Sequence, residues 1–370
     1  MTYNSNVDGL SLPYWHTHVS KAPVSTSQLP KEVDCAIVGA GFTGVHNQQQ
    51  LNELALKCQQ FERLDLNMAE FNNLNDLQDS SCLPLQLPTL LQSLKVLEGV
   101  DLWMKRDDLI HPIIAGNKWR KLIGFFAKLP AHSQVLTFGG AYSNHLAAAA
   151  TAMQALGHGG VFVVRGDELN ADSSPVLKHC ADAGMDLHFV SRQAFRQLRE
   201  HAWQPSREQL LAWQVKDSYT LLAEGGSGAH NDLGCAQLWQ ELQVQGPIDH
   251  LWLAAGTAGT VQGLLRAMPQ GCITHITVVS AVKGSHREAT QTQALARGKN
   301  LQLTWLDETQ FGGFAKSNSQ LQLNSDEIYK TTGINLDPVY NAKVWWQLQQ
   351  ARPHHGKVVW INTGGLRLPA

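Results

Sequence analysis

The stretch Gly116-Asn117-Lys118-Trp119-Arg120-Lys121-Leu122 follows a charged run, Lys105-Arg106-Asp107-Asp108, and begins on a glycine. Its composition predicts a helix that opens at this glycine and runs to about Leu129. The helix dipole disfavours a cation in the first turn, so we expect the pKa of Lys118 to be lowered. A neutral amine is what Schiff-base chemistry needs. The alternative is a surface helix that simply begins with basic residues.

A second stretch, Thr137-Phe138-Gly139-Gly140-Ala141-Tyr142-Ser143-Asn144-His145, lies ahead of an alanine-rich run from Leu146 to Ala152. A strand that ends in two glycines is therefore predicted to lead into a helix. In a purely structural interpretation, Ser143 or Asn144 caps that helix. In the functional interpretation, a ligand lies against the turn and is hydrogen-bonded by both side chains.

A third stretch, LWLAAGTAGTVQGL at 251–264, runs from a strand through a glycine and threonine loop into a helix. Exposed amide N–H groups and the positive end of a helix form an anion site in such loops. Because no P-loop lysine follows, a single phosphate is expected rather than a nucleotide triphosphate. A tight turn without a ligand is the alternative. Together, the three stretches offer an amine, a polar turn and a phosphate site, which are the parts that bind pyridoxal phosphate.

The composition of the 370-residue chain excludes several classes of function. With 43% hydrophobic and 16% charged residues, it can form a large core and two or three domains or lobes. A net charge of −2 without a basic stripe gives no sign of a nucleic-acid partner. No apolar run reaches the roughly 18 residues of a membrane helix, and the first residues lack a secretory signal pattern. The six cysteines form no C-x-x-C pair, so we expect no metal site and reduced thiols in the cytoplasm.

Strands and helices are predicted to alternate from residue 83 onward, the pattern of an α/β protein with mostly parallel sheets. The predicted strands are 100–105, 134–138, 160–164, 186–189, 250–254, 275–279, 301–305 and 357–362.

The segment 33–44, VDCAIVGAGFTG, is an apolar strand followed by G-x-G-x-x-G, a pattern of dinucleotide-binding turns. Such turns are followed by a second strand that ends in an acidic residue, which binds the ribose of the dinucleotide. Only Glu62 stands at a suitable sequence distance, and the residues before it have a weak strand pattern. The stretch LPKEVDCAIVGAGFTG resembles the beginning of flavin-dependent amino-acid oxidoreductases, but that resemblance stops near residue 44. We interpret 1–44 as the remnant of a fused or rearranged gene and 45–82 as a weakly helical linker, together a partly ordered N-terminal extension.

Residues 83 to 365 resemble the family of D-cysteine desulfhydrases and 1-aminocyclopropane-1-carboxylate deaminases, among the tryptophan-synthase-β-like pyridoxal-phosphate enzymes. The matching motifs keep the family's order and spacing: KRDD (105–108), GNKWRKL (116–122), GGAYSNHLAAAA (139–150), EGGS (224–227), AAGTAGTVQGL (254–264), LDPVYNAK (336–343) and NTGG (362–365). The resemblance implies a two-lobed α/β fold with two mostly parallel twisted sheets flanked by helices. Its larger, cofactor-binding lobe would comprise 83–135 and 231–370, and its smaller lobe 136–230.

The resemblance also implies roles for individual residues. Lys118 would hold the cofactor as a Schiff base and move protons at the substrate Cα, while Tyr340 would direct its hydroxyl at the substrate. Asn144 would bond the cofactor's ring oxygen and help to bind the substrate. Ser143 and His145 would lie over the substrate carboxylate, with Ser143 also a candidate acid, base or nucleophile. The residues that would hold the phosphate are Gly256, Thr257, Ala258, Gly259 and Thr260.

The chain departs from the family pattern in several places. Asn341 stands where the deaminases proper have a glutamate on the pyridine nitrogen, and Thr363 occupies the position near that nitrogen. A neutral contact would leave the ring less protonated, which suits β-elimination better than the opening of a cyclopropane. Phe314 stands where relatives often have a second active-site tyrosine. Relatives continue well beyond Gly365 with an apolar segment, so we expect a truncated C-terminus.

The leading hypothesis is therefore a pyridoxal-phosphate-dependent lyase that converts a small amino acid such as D-cysteine to a 2-oxo acid, ammonia and sulfide. Opening of 1-aminocyclopropane-1-carboxylate by the same site is the alternative reaction. Two hypotheses come from other classes: an inactive fusion product, and a flavin-dependent oxidoreductase that uses the glycines of 39–44. By analogy with relatives, we expect a homodimer in the cytoplasm, without a nucleic-acid or membrane partner.

Overall fold

The computed structural model describes residues 83–307, 310–353 and 356–365. The strand and glycine turn predicted within 1–44, the linker 45–82 and the tail after residue 365 lie outside the described residues. Within the described ranges, no helix is both long and apolar enough to cross a membrane.

The described residues form two sheets. The strands are β1 (Leu91–Leu94), β2 (Asp101–Lys105), β3 (Gln134–Gly140), β4 (Gly159–Arg165), β5 (Asp186–Val190), β6 (Tyr219–Leu222), β7 (His250–Ala255), β8 (His275–Ser280), β9 (Gln302–Asp307) and β10 (Lys357–Ile361). One sheet has the order β1-β2-β10-β7-β8-β9 and the other the order β5-β4-β3-β6. Strands β1 and β2 pair antiparallel. The other pairs are parallel.

Helices connect the parallel strands. They are α1 (Asn117–Phe126), α2 (Asn144–Leu156), α3 (Pro175–Asp182), α4 (Arg192–Glu200), α5 (Arg207–Ala212), α6 (Asn231–Gln243), α7 (Gly259–Ala267), α8 (His286–Arg297), α9 (Ser319–Thr332) and α10 (Asn341–Ala351). Because parallel strands need crossover connections, this alternation accounts for the two sheets. The predicted α/β class with mostly parallel sheets is confirmed.

The six-stranded sheet is buried on both faces. Along β7, Leu251 and Leu253 pack into a core with α6, α7 and α8. The alternate residues Trp252 and Ala254 pack into a second core with α9 and α10. Successive side chains of a strand point to opposite faces, so one strand supplies both cores.

The predicted strands agree with observed ones to within one or two residues, but β1 and β6 were not predicted. Each has only four residues and lies at the edge of its sheet. Edge strands are paired on one side only and carry a weak sequence pattern. The division into a larger and a smaller lobe at the predicted boundaries stays a prediction.

Helix α1 lies unusually close to α6. A Cβ atom at Gly234 in α6 would come 2.0 Å from the backbone oxygen of Arg120 in α1, so only glycine permits this approach. The close crossing brings the side chains near the start of α1 within reach of Glu241, at the other end of α6. The position of α1 matters because it carries Lys118.

Candidate active site

The first turn of α1 is held against the loop that follows β10. Gly116, with φ of 54°, donates its N–H to the backbone oxygen of Asp107 at 2.8 Å. The N–H of Asn117 donates to the backbone oxygen of Thr363 at 2.9 Å. A Cβ atom at position 116 would lie only 1.8 Å from that same oxygen of Thr363, so a side chain there is sterically excluded.

Lys118 lies in a narrow cleft. The cleft is lined by Ile113, Ala115, Asn117, Lys118, Asn144, Tyr340, Gly364 and Gly365. The pKa of the Lys118 amine is lowered from 10.5 to about 7, mainly by burial and then by the charge of Lys121, while the carboxylate of Asp337 acts in the opposite direction. The predicted direction is found, but burial rather than the helix end is its main cause. An amine with this pKa is neutral in a large fraction of molecules near pH 7.

The predicted polar turn at the start of α2 has both structural and cleft-facing members. Ser143 is the N-cap of α2, and its Oγ accepts the N–H of Leu146 at 3.4 Å. Asn144 lines the cleft together with Lys118. Ser143 therefore has the structural role of a cap, while a ligand contact from either side chain stays a prediction.

His145 is buried below the turn. Its Nε2 shares a hydrogen bond of 2.8 Å with the hydroxyl of Thr137, and its Nδ1 has no partner within the described residues. Burial lowers the pKa of His145 to about 3, helped by the charges of Lys118 and Lys121. The ring is therefore neutral, and its contact with a substrate carboxylate stays a prediction.

The glycine and threonine loop lies at the N-terminus of α7, as its sequence predicted. Ala258 adopts a left-handed conformation with φ of 58°, and no side chain caps the first N–H groups of the helix. A Cβ atom at Gly259 would come 3.0 Å from the Nδ2 atom of Asn231, so this backbone leaves little space for side chains. Uncapped N–H groups at the positive end of a helix favour an anion.

Lys121 lies at this loop and was not predicted as a site residue. Within the described residues, its Nζ donates to neutral oxygens: the hydroxyl of Thr257 at 3.2 Å and the carbonyl of Gly225 at 3.4 Å. The hydroxyl of Ser227 is 3.2 Å from that of Thr257. Burial lowers the pKa of Lys121 to about 8. The spacing of three residues from Lys118, which places both on one helix face, was the signal available in the sequence.

Tyr340 lines the cleft opposite the glycine loop. A Cβ atom at Gly256 would lie 3.5 Å from its hydroxyl oxygen. Burial raises the pKa of Tyr340, so the hydroxyl stays protonated at neutral pH. The ring of Phe314, which is 57% exposed, meets that of Tyr340 edge-on with centroids 6.2 Å apart.

Asp337 holds Tyr340 and Asn341 in place. Its carboxylate accepts the N–H groups of Val339, Tyr340 and Asn341 at 2.7–3.1 Å, and the side-chain amide of Asn341 at 2.7 Å. The Oδ1 atom of Asn341 is buried and has no partner within the described residues. The predicted effect of an asparagine rather than a glutamate at this position on the cofactor ring stays a prediction.

A family model for pyridoxal-phosphate dependent enzymes matches residues 83–345. The chain belongs to this family. This pyridoxal-phosphate-dependent enzyme is 26% identical to the mitochondrial bifunctional D-cysteine desulfhydrase/1-aminocyclopropane-1-carboxylate deaminase of Arabidopsis thaliana, over 72% of this chain and 73% of the relative. It is also 26% identical to a D-cysteine desulfhydrase of Klebsiella pneumoniae, over 75% of this chain and 92% of the relative.

Solved structures of other proteins have the same fold as this pyridoxal-phosphate-dependent enzyme. The crystal structure of an ACC deaminase homologue has a TM-score of 0.60 at 22% identity, covering 81% of this chain and 95% of the homologue. The crystal structure of the T.th. threonine deaminase has a TM-score of 0.56 at 15% identity, covering 81% of this chain and 98% of that structure. The expected two-sheet fold is thus confirmed.

The residues present fit the family's cofactor. A buried lysine bonded to neutral oxygens, an uncapped helix end and a glycine backbone form a site with the chemistry to hold an anion such as phosphate. The amine of Lys118 is in the adjoining cleft, one turn earlier on the same helix. The roles predicted for the individual residues stay predictions.

Proposed function

We propose that this enzyme eliminates the β-substituent and the amino group of a small amino acid, as a D-cysteine desulfhydrase does. In this reaction the Cα–H and Cβ–S bonds of D-cysteine break to release hydrogen sulfide, and one water then hydrolyses the Cα–N bond of the remaining enamine, in its imine form, to give pyruvate and ammonia. The observation that carries the proposal is the amine of Lys118, with a pKa of about 7, in a cleft shared with Asn144 and Tyr340. The relatives named D-cysteine desulfhydrase support the substrate class.

Each residue of the cleft has a task in this proposal. When bound, pyridoxal phosphate supplies an aldehyde for the amines of lysine and substrate, and a ring that withdraws electrons from the substrate Cα. Lys118 takes the Cα proton, because its amine is neutral in a large fraction of molecules at neutral pH. Tyr340 keeps its proton, since burial raises its pKa, and hydrogen-bonds the departing sulfur. Asn144 orients the ring through its amide.

Three further residue groups complete the proposed site. Lys121 and the loop 256–260, that is Gly256, Thr257, Ala258, Gly259 and Thr260, hold the phosphate. Ser143 and His145 lie on the substrate carboxylate side, and Thr363 lies near the ring nitrogen.

Opening of 1-aminocyclopropane-1-carboxylate is the second candidate reaction, because the Arabidopsis thaliana relative carries both names. Asn341 argues against it. Its amide already donates to Asp337, and an amide oxygen cannot supply the charge that a glutamate offers to a protonated ring. The enzyme should therefore prefer a substrate with a good leaving group.

The decisive experiment compares wild type, Lys118→Ala and the exposed-lysine control Lys330→Ala. Purified proteins are loaded with pyridoxal phosphate, and absorbance at roughly 410–420 nm, where lysine-bound cofactor absorbs, is recorded before and after D-cysteine is added. Wild type and Lys330→Ala should show the band and release sulfide and ammonia in equal amounts. Lys118→Ala should lose the band and about 10³-fold or more of the activity.

Other results identify the alternatives. A wild type that shows the band but releases no ammonia from any D-amino acid is an inactive fusion product. Paired flavin bands in place of the cofactor band support the oxidoreductase. Faster turnover of 1-aminocyclopropane-1-carboxylate than of D-cysteine overturns the preferred reaction.

We further infer a homodimer located in the cytoplasm. The names of the relatives support an enzyme of small-molecule metabolism, and scattered cysteines without a C-x-x-C pair are typical of a reducing compartment. Light scattering of the purified protein tests the dimer, and fractionation of the source cells tests the compartment.

A further inference from the structure

Behind the first turn of α1, on the side away from the cleft, lies a group of buried charges. We call it the buried ion network, and its members are Thr89, Lys105, Asp107, Arg120 and Glu241. Two cations face two carboxylates, and the side chains of Lys105, Asp107 and Arg120 are at most 1% exposed. Nothing in the proposed chemistry uses these charges directly.

Arg120 is the centre of the buried ion network. Its Nε and Nη2 atoms donate to the two carboxylate oxygens of Asp107, both at 3.0 Å. Its Nη1 and Nη2 atoms donate to the two oxygens of Glu241 at 2.7 and 2.9 Å. The guanidinium therefore makes bidentate pairs with both carboxylates, the geometry that restricts its position most strongly.

Lys105 and Thr89 complete the charge balance. The Nζ of Lys105 lies 2.5 Å from Glu241 and donates to the backbone oxygen of Thr89 at 2.7 Å. The hydroxyl of Thr89 donates to Asp107 at 2.6 Å. The network thus carries no net charge and ties the loop before β1, the end of β2, α1 and α6 together.

Asp107 contacts the Lys118 turn on both sides. Its backbone oxygen accepts the N–H of Gly116, and its carboxylate accepts two bonds from Arg120, so one residue binds both ends of the segment that contains Lys118. A further bond, from the N–H of Asn117 to the backbone oxygen of Thr363, holds the same turn from the cleft side. Lys118 is therefore carried on a backbone that is fastened immediately before and after it.

We infer that the buried ion network positions Lys118, so that Asp107 and Arg120 act on the reaction without touching substrate or cofactor. This inference rests on the proposed function, since it assigns a purpose to holding that amine. A displacement of about 1 Å at a reacting group can cost on the order of a hundredfold in rate. Loosening the Asp107–Arg120 pair should therefore slow the reaction of the Lys118 amine with the cofactor. The slowing should exceed that in a variant that loses the same amount of folding stability elsewhere.

The main test is Asp107→Asn in the full chain. The backbone bond to Gly116 survives, but one carboxylate oxygen becomes an amide nitrogen that faces the donors of Arg120. We expect the rate at which cofactor-free protein regains the cofactor band to fall about tenfold or more. We also expect the pH midpoint of that band to move by about 0.5 or more. The groups that face the Lys118 amine, namely Lys121, Asp337 and His145, stay unchanged.

Three control variants separate positioning from stability. Asp108→Asn makes the same chemical change at the next residue. The side chain of Asp108 binds Arg106 and not Arg120, so this variant should behave as wild type. Val163→Ala creates a cavity in the four-stranded sheet and should lower stability without moving the band's midpoint. Lys105→Met combined with Glu241→Gln removes one charge of each sign and disrupts one bidentate pair of Arg120, but keeps the Asp107–Arg120 pair. That double variant should reload more slowly than wild type but faster than Asp107→Asn, because the bond to the residue that fastens Gly116 survives.

The outcomes are distinct. If wild type never shows the band, or Lys118→Ala keeps it, the proposed function fails. If wild type shows the band but Asp107→Asn matches Val163→Ala in reloading rate and midpoint, the inference on positioning is overturned and the function stands. If Asp107→Asn does not fold, Arg120→Lys is measured in its place, because lysine keeps the positive charge but cannot form the bidentate pairs. Its band must then reload more slowly than that of Val163→Ala.

Discussion

The two faces of helix α1 hold buried cations in opposite circumstances. On one face, Arg120 is paired with Asp107 and Glu241, and although burial disfavours its charge, these carboxylates raise its pKa. On the other face, Lys118 and Lys121 have pKa values lowered to about 7 and about 8. Burial acts on all three, so the difference comes from their partners. Charge pairing rather than depth decides whether a buried cation of this helix is a structural element or a reactive amine.

The largest effect should come from breaking the paired face. Asp107→Ala leaves Arg120 with one carboxylate and the hydroxyl of Thr89 without its acceptor, so the free energy of unfolding should fall by about 3–5 kcal/mol. Chemical denaturation of the cofactor-free protein measures this change. The matched control is Asp108→Ala, whose partner Arg106 is partly exposed, and it should cost about 1 kcal/mol or less. Equal losses of unfolding free energy in Asp107→Ala and Asp108→Ala would contradict the view that pairing with Asp107 stabilises the charge of Arg120.

A smaller effect is expected on the unpaired face from Lys121→Met. The variant loses a charge-assisted hydrogen bond to phosphate, worth about 1.5–3 kcal/mol, so cofactor affinity should fall about tenfold to a hundredfold. Equilibrium titration with pyridoxal phosphate measures it, and Lys330→Met, a change at an exposed lysine, provides the control. An unchanged affinity would show that Lys121 does not contact the phosphate.

The pH dependence of stability sharpens the comparison further. The pKa of Lys118 is about 7 in the folded chain and 10.5 in its ordinary environment, so between these values the unfolded chain binds more protons. Stability of the cofactor-free protein should therefore rise with pH across this window, by up to about 1.4 kcal/mol per pH unit from this group. Denaturation at pH 8 and at pH 9 tests it. Lys118→Met should lose this part of the slope, and an identical slope in the variant would contradict the lowered pKa.

The smallest effect is expected at Phe314, whose ring contacts that of Tyr340. Phe314→Tyr adds a hydroxyl to a ring that is 57% exposed, so stability should change by less than about 0.5 kcal/mol. Turnover should stay within about twofold, because Tyr340 and not Phe314 lines the cleft. Tyr340→Phe, the opposite exchange, should lower turnover by about a hundredfold. A large gain in Phe314→Tyr would mean that the missing second hydroxyl limits this enzyme.

Much of the site could be predicted because its parts are contiguous in the chain. The glycine turn before Lys118, the cap at Ser143 and the loop 256–260 each combine small residues with a helix start, and the last two follow directly on a strand end. Such local patterns depend on backbone conformation, which short sequences determine well. The edge strands β1 and β6 escaped prediction because each is short and paired on one side only; β6 also has its partner, β3, far back in the chain, whereas β1 pairs with the neighbouring β2.

The sequence by itself determined the alternation of strands and helices, the three glycine-bearing turns and the family. Only the tertiary structure decided which cations are paired, because Glu241 reaches Arg120 across 121 residues, through a helix crossing that depends on Gly234. It alone decided that Lys121 points at the anion loop and that His145 is buried and neutral. Burial and charge pairing arise between distant segments, and they set the pKa values on which the proposed chemistry depends.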